Sequence, residues 1–147
     1  MALVSITATQ VLPSAAADIR TGTVGAATTV TAGSIVYLDA ATSTLLLAVA
    51  TSATTAAAVG MCLNGGSTGQ VVRYVASDTA LQIGTAASLT PGMTLYVSDD
   101  TAGSLATVWT DLETGGSVDF VTSCGIVTAA TLGVTRFQIN ASGVSKP

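Results

Sequence analysis

The sequence has no histidine and little charge of either sign. Without imidazole there is no Ser-His or Cys-His nucleophile pair, no imidazole acid–base chemistry and no imidazole metal ligand. Four cations, Arg20, Arg73, Arg136 and Lys146, stand against eight carboxylates, giving a net charge of −4 and a pI near 4.1. Neutralising phosphates needs clustered cations, so nucleic acid is not an expected partner. A Ser-Lys dyad would fall to Lys146, beside Pro147, where a fraying chain end positions nothing well. These absences argue against an enzyme, and no catalytic residue, cofactor or metal ligand is assigned.

Cysteine is scarce as well, with Cys62 in Val59-Gly-Met-Cys-Leu63 and Cys124 in Ser123-Cys-Gly-Ile-Val127. A CxxC motif is absent, and the pair reads as two buried thiols in a reducing compartment, with a disulfide between them as the alternative. No charge occurs between Asp39 and Arg73, and residues 45–63 are long enough to span a bilayer. Thr51-Ser-Ala-Thr-Thr55 interrupts that run, Gly60 and Asn64-Gly-Gly-Ser-Thr-Gly69 close it, and no basic flank orients it, so a membrane is not an expected partner. The segment Met1 to Gln10 lacks the basic and continuous apolar regions of a signal peptide and reads as mature sequence.

What is abundant is small. Alanine and threonine supply about a third of the chain and valine about a ninth, with 49% hydrophobic residues but only 4% aromatic ones. That mixture suits a pleated, half-buried surface. Apolar runs recur every ten residues or so between Gly, Pro, Asn, Asp and Ser, a spacing that predicts about nine or ten strands. In Val134-Thr-Arg-Phe-Gln-Ile-Asn140, Thr135, Phe137 and Ile139 share one face while Arg136, Gln138 and Asn140 share the other. Further strands are predicted at 34–38, 45–49, 59–63, 70–76, 80–84, 94–98, 105–110 and 118–127.

Thr31-Ala-Gly33, Asn64-Gly-Gly66, Pro91-Gly92, Asp99-Asp-Thr-Ala-Gly103 and Thr114-Gly-Gly-Ser117 carry turn chemistry. Gly125 breaks the alternation of its strand as a bulge would. A short helix is allowed at 53–58 by its alanines, though nearby threonines oppose it. The fold class is therefore all-β, an antiparallel sandwich or small barrel. Residues 21–147 form one domain, and residues 1–20 are either an extended N-terminal arm or an internal strand.

Asp99-Asp100 and Asp111-Leu-Glu113 are the acidic clusters. A hard cation could bind converging carboxylates there, but a turn whose carboxylates bond local backbone explains Asp99 and Asp100 as well. A glycosidase pair drawn from these acids has no cleft to support it. Gly65-Gly-Ser-Thr-Gly69 lacks the Gly-Lys-Ser/Thr ending of a phosphate loop and reads as a hairpin loop. Trp109 with Tyr37, Tyr74 and Tyr96 could make a sugar-stacking platform, or could serve the core and a subunit contact.

The order of these motifs resembles that of a known family. Thr31-Ala-Gly-Ser-Ile-Val-Tyr-Leu-Asp39, then Ala58-Val-Gly-Met-Cys-Leu-Asn64 running into Gly69-Gln-Val-Val72, is similar to the head decoration, or cement, proteins of tailed bacteriophages. Pro91-Gly-Met-Thr-Leu-Tyr-Val97, Asp100-Thr-Ala-Gly103, Asp111-Leu-Glu-Thr-Gly115 and Cys124-Gly-Ile-Val-Thr128 continue the likeness, which covers roughly residues 20–144. It implies a β-rich protein made in the host cytoplasm that coats the capsid exterior as homotrimers and clamps neighbouring major capsid protein subunits. Its expected partners are thus the major capsid protein and itself. Residues 1–20 match least, and Val11, Leu12 and Ile19 there, with Trp109, are the expected partner contacts. The rival reading is a carbohydrate-binding or adhesin-like β domain of a virion fibre or cell surface, with Trp109 on the stacking platform.

Overall fold

The computed structural model describes residues 3–84, 89–107 and 120–145. Trp109, Asp111, Glu113, the turn at 114–117, Lys146 and the predicted strand positions 108–110 and 118–119 lie outside the described residues. The chain is all-β and antiparallel. Its strands are β1 (Val11–Leu12), β2 (Asp18–Thr23), β3 (Thr29–Val30), β4 (Ile35–Asp39), β5 (Thr44–Leu47) and β6 (Ala58–Cys62), followed by β7 (Gly66–Ser67), β8 (Val71–Ile83), β9 (Thr94–Val97), β10 (Leu105–Ala106), β11 (Phe120–Ala129) and β12 (Val134–Ser145). Ten of them form one curled sheet in the order β10-β9-β11-β12-β8-β6-β4-β5, with β1 and β2 also on β8; β3 and β7 make a separate ribbon.

The architecture turns on β8. Tyr74 and Val75 pair with Arg20 and Ile19 of β2 on one flank and with Cys62 and Met61 of β6 on the other. Ser77 likewise lies between Asp18 of β2 and Gln138 of β12, and Gln82 between Leu12 of β1 and Val134 of β12. One flank of β8 is therefore occupied by the N-terminal segment. The other flank is shared, with β6 leading into β4 and β5 and β12 leading into β11, β9 and β10. The sequence predicts two strands here, at 70–76 and 80–84. The chain instead runs on as one strand with a bulge, since β8 advances three residues from Asp78 to Leu81 while β12 advances two.

This branching creates two cores. The smaller holds Val24, Val30, Val36, Leu45, Cys62, Val72 and Tyr74. It lies inside the curl β2-β8-β6-β4-β5, which closes where Val24 bridges Leu45 and Gly25 N–H donates to the Leu45 carbonyl at 2.9 Å. Gly22 permits the closure, because a Cβ there would sit 2.6 Å from a Leu45 methyl. The larger core gathers Ile35, Met61, Val75, Leu81, Leu95, Leu105 and Phe137, among others, from both branches. Successive residues of the shared wall face opposite cores: Ile35 then Val36, Met61 then Cys62, Val75 then Tyr74.

Strand β12 has the predicted alternation, with Thr135 and Phe137 buried and Arg136, Gln138 and Asn140 exposed. The predicted irregularity at Gly125 is present: the register against β12 and β9 shifts there, φ is +148°, and a Cβ would collide with the Arg136 carbonyl. The helix allowed at 53–58 does not form. Thr55 Oγ donates to the Val49 carbonyl at 2.7 Å and Ser52 Oγ accepts from Thr55 N–H at 3.2 Å, so hydroxyls hold a compact turn that gives way to β6 at Ala58. Residues 45–63 thus fold as strand, turn and strand, and no helix among the described residues is long and apolar enough to cross a membrane.

Candidate functional site

The N-terminal segment is anchored to the sheet. Between β1 and β2 the chain turns at Ala15-Ala16, and at the start of that turn Ser14 N–H donates to Asp78 Oδ2 at 2.7 Å and Ser14 Oγ donates to Asp78 Oδ1. Ala80 N–H donates to the same carboxylate at 3.1 Å. Burial pushes the Asp78 pKa up, but the bonds from Ser14 and the neighbouring backbone outweigh it and hold the carboxyl below its ordinary value. The carboxylate is 4% exposed and sits at the β8 bulge. No sequence rule couples a serine and an aspartate 64 residues apart; only the β1-β8-β2 pairing brings them together.

Along this edge the predicted contact residues separate. Val11 belongs to the large core at 5% exposure, whereas Leu12 and Ile19 are 53% and 40% exposed. Among the described residues no strand pairs with the outer edge of β2. Arg20 donates to Asp18 at 2.9 Å on that strand, a bond that raises the guanidinium pKa.

The outward face of β9, β11 and β12 forms a shallow groove of about 640 Å³ lined by Thr94, Ser123, Gly125, Ile126, Arg136, Gln138, Ile139 and Asn140. Its polar rail comes from the two-residue period of β12, legible in the sequence; the opposing Ser123 and Thr94 come from strand order, which is not. The groove has hydrogen-bonding groups and, among the described residues, no aromatic ring. The tyrosines are dispersed: Tyr74 fills the small core, Tyr37 packs on the large one, and Tyr96 is half-buried on β9.

The acidic segment is a turn, as the sequence allowed. Ser98 Oγ accepts the N–H groups of Asp100 and Thr101, each at 3.1 Å, and Asp99 is buried. Three metal-ligating side chains do not cluster anywhere among the described residues. The glycine-rich segment lies in the loop joining β6 to its antiparallel neighbour β8, but Gly66 and Ser67 within it form β7 against β3, and Gln70 N–H donates to the Ser67 carbonyl at 2.9 Å. Both cysteines are buried free thiols, Cys62 in the small core and Cys124 in the large one, each pushed up to about 12 by desolvation. Comparison with family profiles, curated sequences and solved structures finds no match to this chain.

Proposed function

We propose that this protein is a capsid decoration protein of a tailed bacteriophage, binding the exterior of the assembled head as a homotrimer and bridging major capsid subunits. The reading rests on the order of turn-and-strand motifs in the sequence. The observation that supports it best is the edge at Leu12 and Ile19, which presents apolar side chains from a backbone fixed to β8 and pinned by Asp78. A preorganised edge loses less entropy on docking than a free arm.

The composition suits a repeating coat. Copies side by side on a shell repel strongly when highly charged, whereas 8% charged residues in a Thr-rich surface keep that repulsion small. Contacts of about 800–1,600 Å² in total, each modest, hold firmly when one oligomer engages several sites. Binding to the expanded lattice and not to free subunits stabilises the lattice by linkage, without covalent chemistry.

The test mixes the purified protein with heads of its phage lacking decoration and measures co-sedimentation and heat-induced DNA release. Saturable binding and a higher release temperature are expected. Absence of binding, or imaging that places the protein inside the particle, overturns the proposal.

A further inference from the structure

We propose that two copies of this chain pair antiparallel through the open edge of β2, about a two-fold axis at Ile19. The proposal goes beyond the capsid reading and holds or fails without it. Three observations carry it.

First, β2 is paired on one side only, and the strand that closes the small core does not cover it. Leu45 meets the chain at Val24, and β5 starts at Thr44, so Asp18 to Thr21 keep an outer edge free of strands among the described residues. Unpaired N–H and C=O groups in such a row accept another strand.

Second, Ile19 ends a row of directly opposed apolar residues crossing four strands: Ile35 on β4, Met61 on β6, Val75 on β8, then Ile19 on β2. The first three are fully buried, and Ile19 is 40% exposed. A second copy related at Ile19 continues the row as Ile19 against Ile19 and takes both side chains out of water.

Third, the charges beside Ile19 are self-complementary in this register alone among two-fold registers centred on a residue from Asp18 to Arg20. With the axis at Ile19, Asp18 lies opposite Arg20 of the second copy and Arg20 opposite its Asp18. Centring on Asp18 or Arg20 sets like charges against each other, which is destabilising. The existing Asp18–Arg20 bond at 2.9 Å then becomes half of a four-charge ring, and Ala17 meets Thr21 without bulk on either side. The paired stretch is short and its charges are exposed, so the association is weak in dilute solution, weakens further with salt, and counts where copies are concentrated. A contact of this symmetry joins chains in pairs; trimers formed through another surface would be linked to neighbouring trimers.

Cross-linking tests the register directly. Residues directly opposed on antiparallel strands have Cα atoms about 4.5–5.5 Å apart, within disulfide reach, whereas positions four residues apart along a strand are separated by about 13 Å. In the purified full chain under mild oxidation, Ile19→Cys is expected to form covalent pairs at least tenfold faster than Thr21→Cys, with Cys62 and Cys124 silent because they are buried. Equal rates, or no covalent pair with Ile19→Cys, overturn the proposal. Sedimentation equilibrium of Asp18→Arg and Arg20→Asp adds a charge test: each alone is expected to pair less than the parent, and an equimolar mixture to recover pairing because every opposed position is again of opposite sign. A mixture that pairs no better than its components also overturns it, and should either charge variant fail to fold, the Ile19→Cys rate decides.

Discussion

The two cores share the wall β4-β6-β8 yet are closed by different means. The large core is filled by long side chains from both branches of the sheet, with Phe137 the bulkiest of those fully buried. The small core contains seven buried residues, four of them valines, and completes its curl where Val24 and Gly25 meet Leu45. The large core therefore resists unfolding through mass, whereas the small one does so through closure. Their shared wall predicts that in the parent protein they unfold together.

The largest effect is expected from the large core. Phe137→Ala removes its biggest side chain from a site closed on all sides and should cost about 3–5 kcal/mol, read as a lower midpoint in denaturant at unchanged slope. A smaller loss would mean that the core collapses around the vacancy. Next comes Leu45→Ala, about 2–4 kcal/mol, with a distribution that matters more than its size. Loss of the closing contact should let β2 and β5 exchange amide protons faster than β11 does.

The two thiols report the cores separately. Neither ionises near neutral pH while buried, so alkylation tracks opening. In the parent, Cys62 and Cys124 should become reactive in one transition. In Leu45→Ala, Cys62 should react at lower denaturant than Cys124. Simultaneous labelling in that variant would show that the wall keeps the cores cooperative without closure. Gly125→Ala follows, at about 1–3 kcal/mol for a strained backbone, because its Cβ meets the Arg136 carbonyl. Cys124, its neighbour, should label faster while Cys62 labels as in the parent.

The same contrast explains what the sequence made legible. Strands covered on one face alternate, and β12 shows its buried and exposed residues plainly. Wall strands covered on both faces read as unbroken runs, Ile35-Val36 and Met61-Cys62, which announce a strand but not two cores. Strand β2 escapes the pattern because Asp-Ile-Arg-Thr-Gly-Thr has one large apolar residue, and it is held by hydrogen bonds to β8 more than by its side chains. Strands β1, β3 and β7 have two residues each, too few to show a period. Of the candidate surfaces, Val11, Leu12 and Ile19 were singled out alike by their apolar character; that Val11 is buried while Leu12 and Ile19 are exposed depends on pairing with β8, where Val11 lies opposite Ile83 across 72 positions of sequence.

The smallest effect tests whether the N-terminal edge belongs to either core. Asp78 is a buried carboxylate bonded to that edge through Ser14, and its pKa lies below the ordinary value. The unfolded chain therefore holds the proton more tightly than the folded one. The stability that this group contributes is complete above the unfolded value, near pH 4, and disappears as the pH falls through the lower folded value. Asp78→Asn should cost about 1–2 kcal/mol at pH 7 and flatten the decline of stability as the pH falls below about 4. If the edge acts with the large core, through Val11 and Ala17, the variant should lower the global midpoint. If the edge opens by itself, only residues 11–23 should exchange faster while the midpoint stays fixed, and the branch point of β8 would then mark the limit of the cooperative unit.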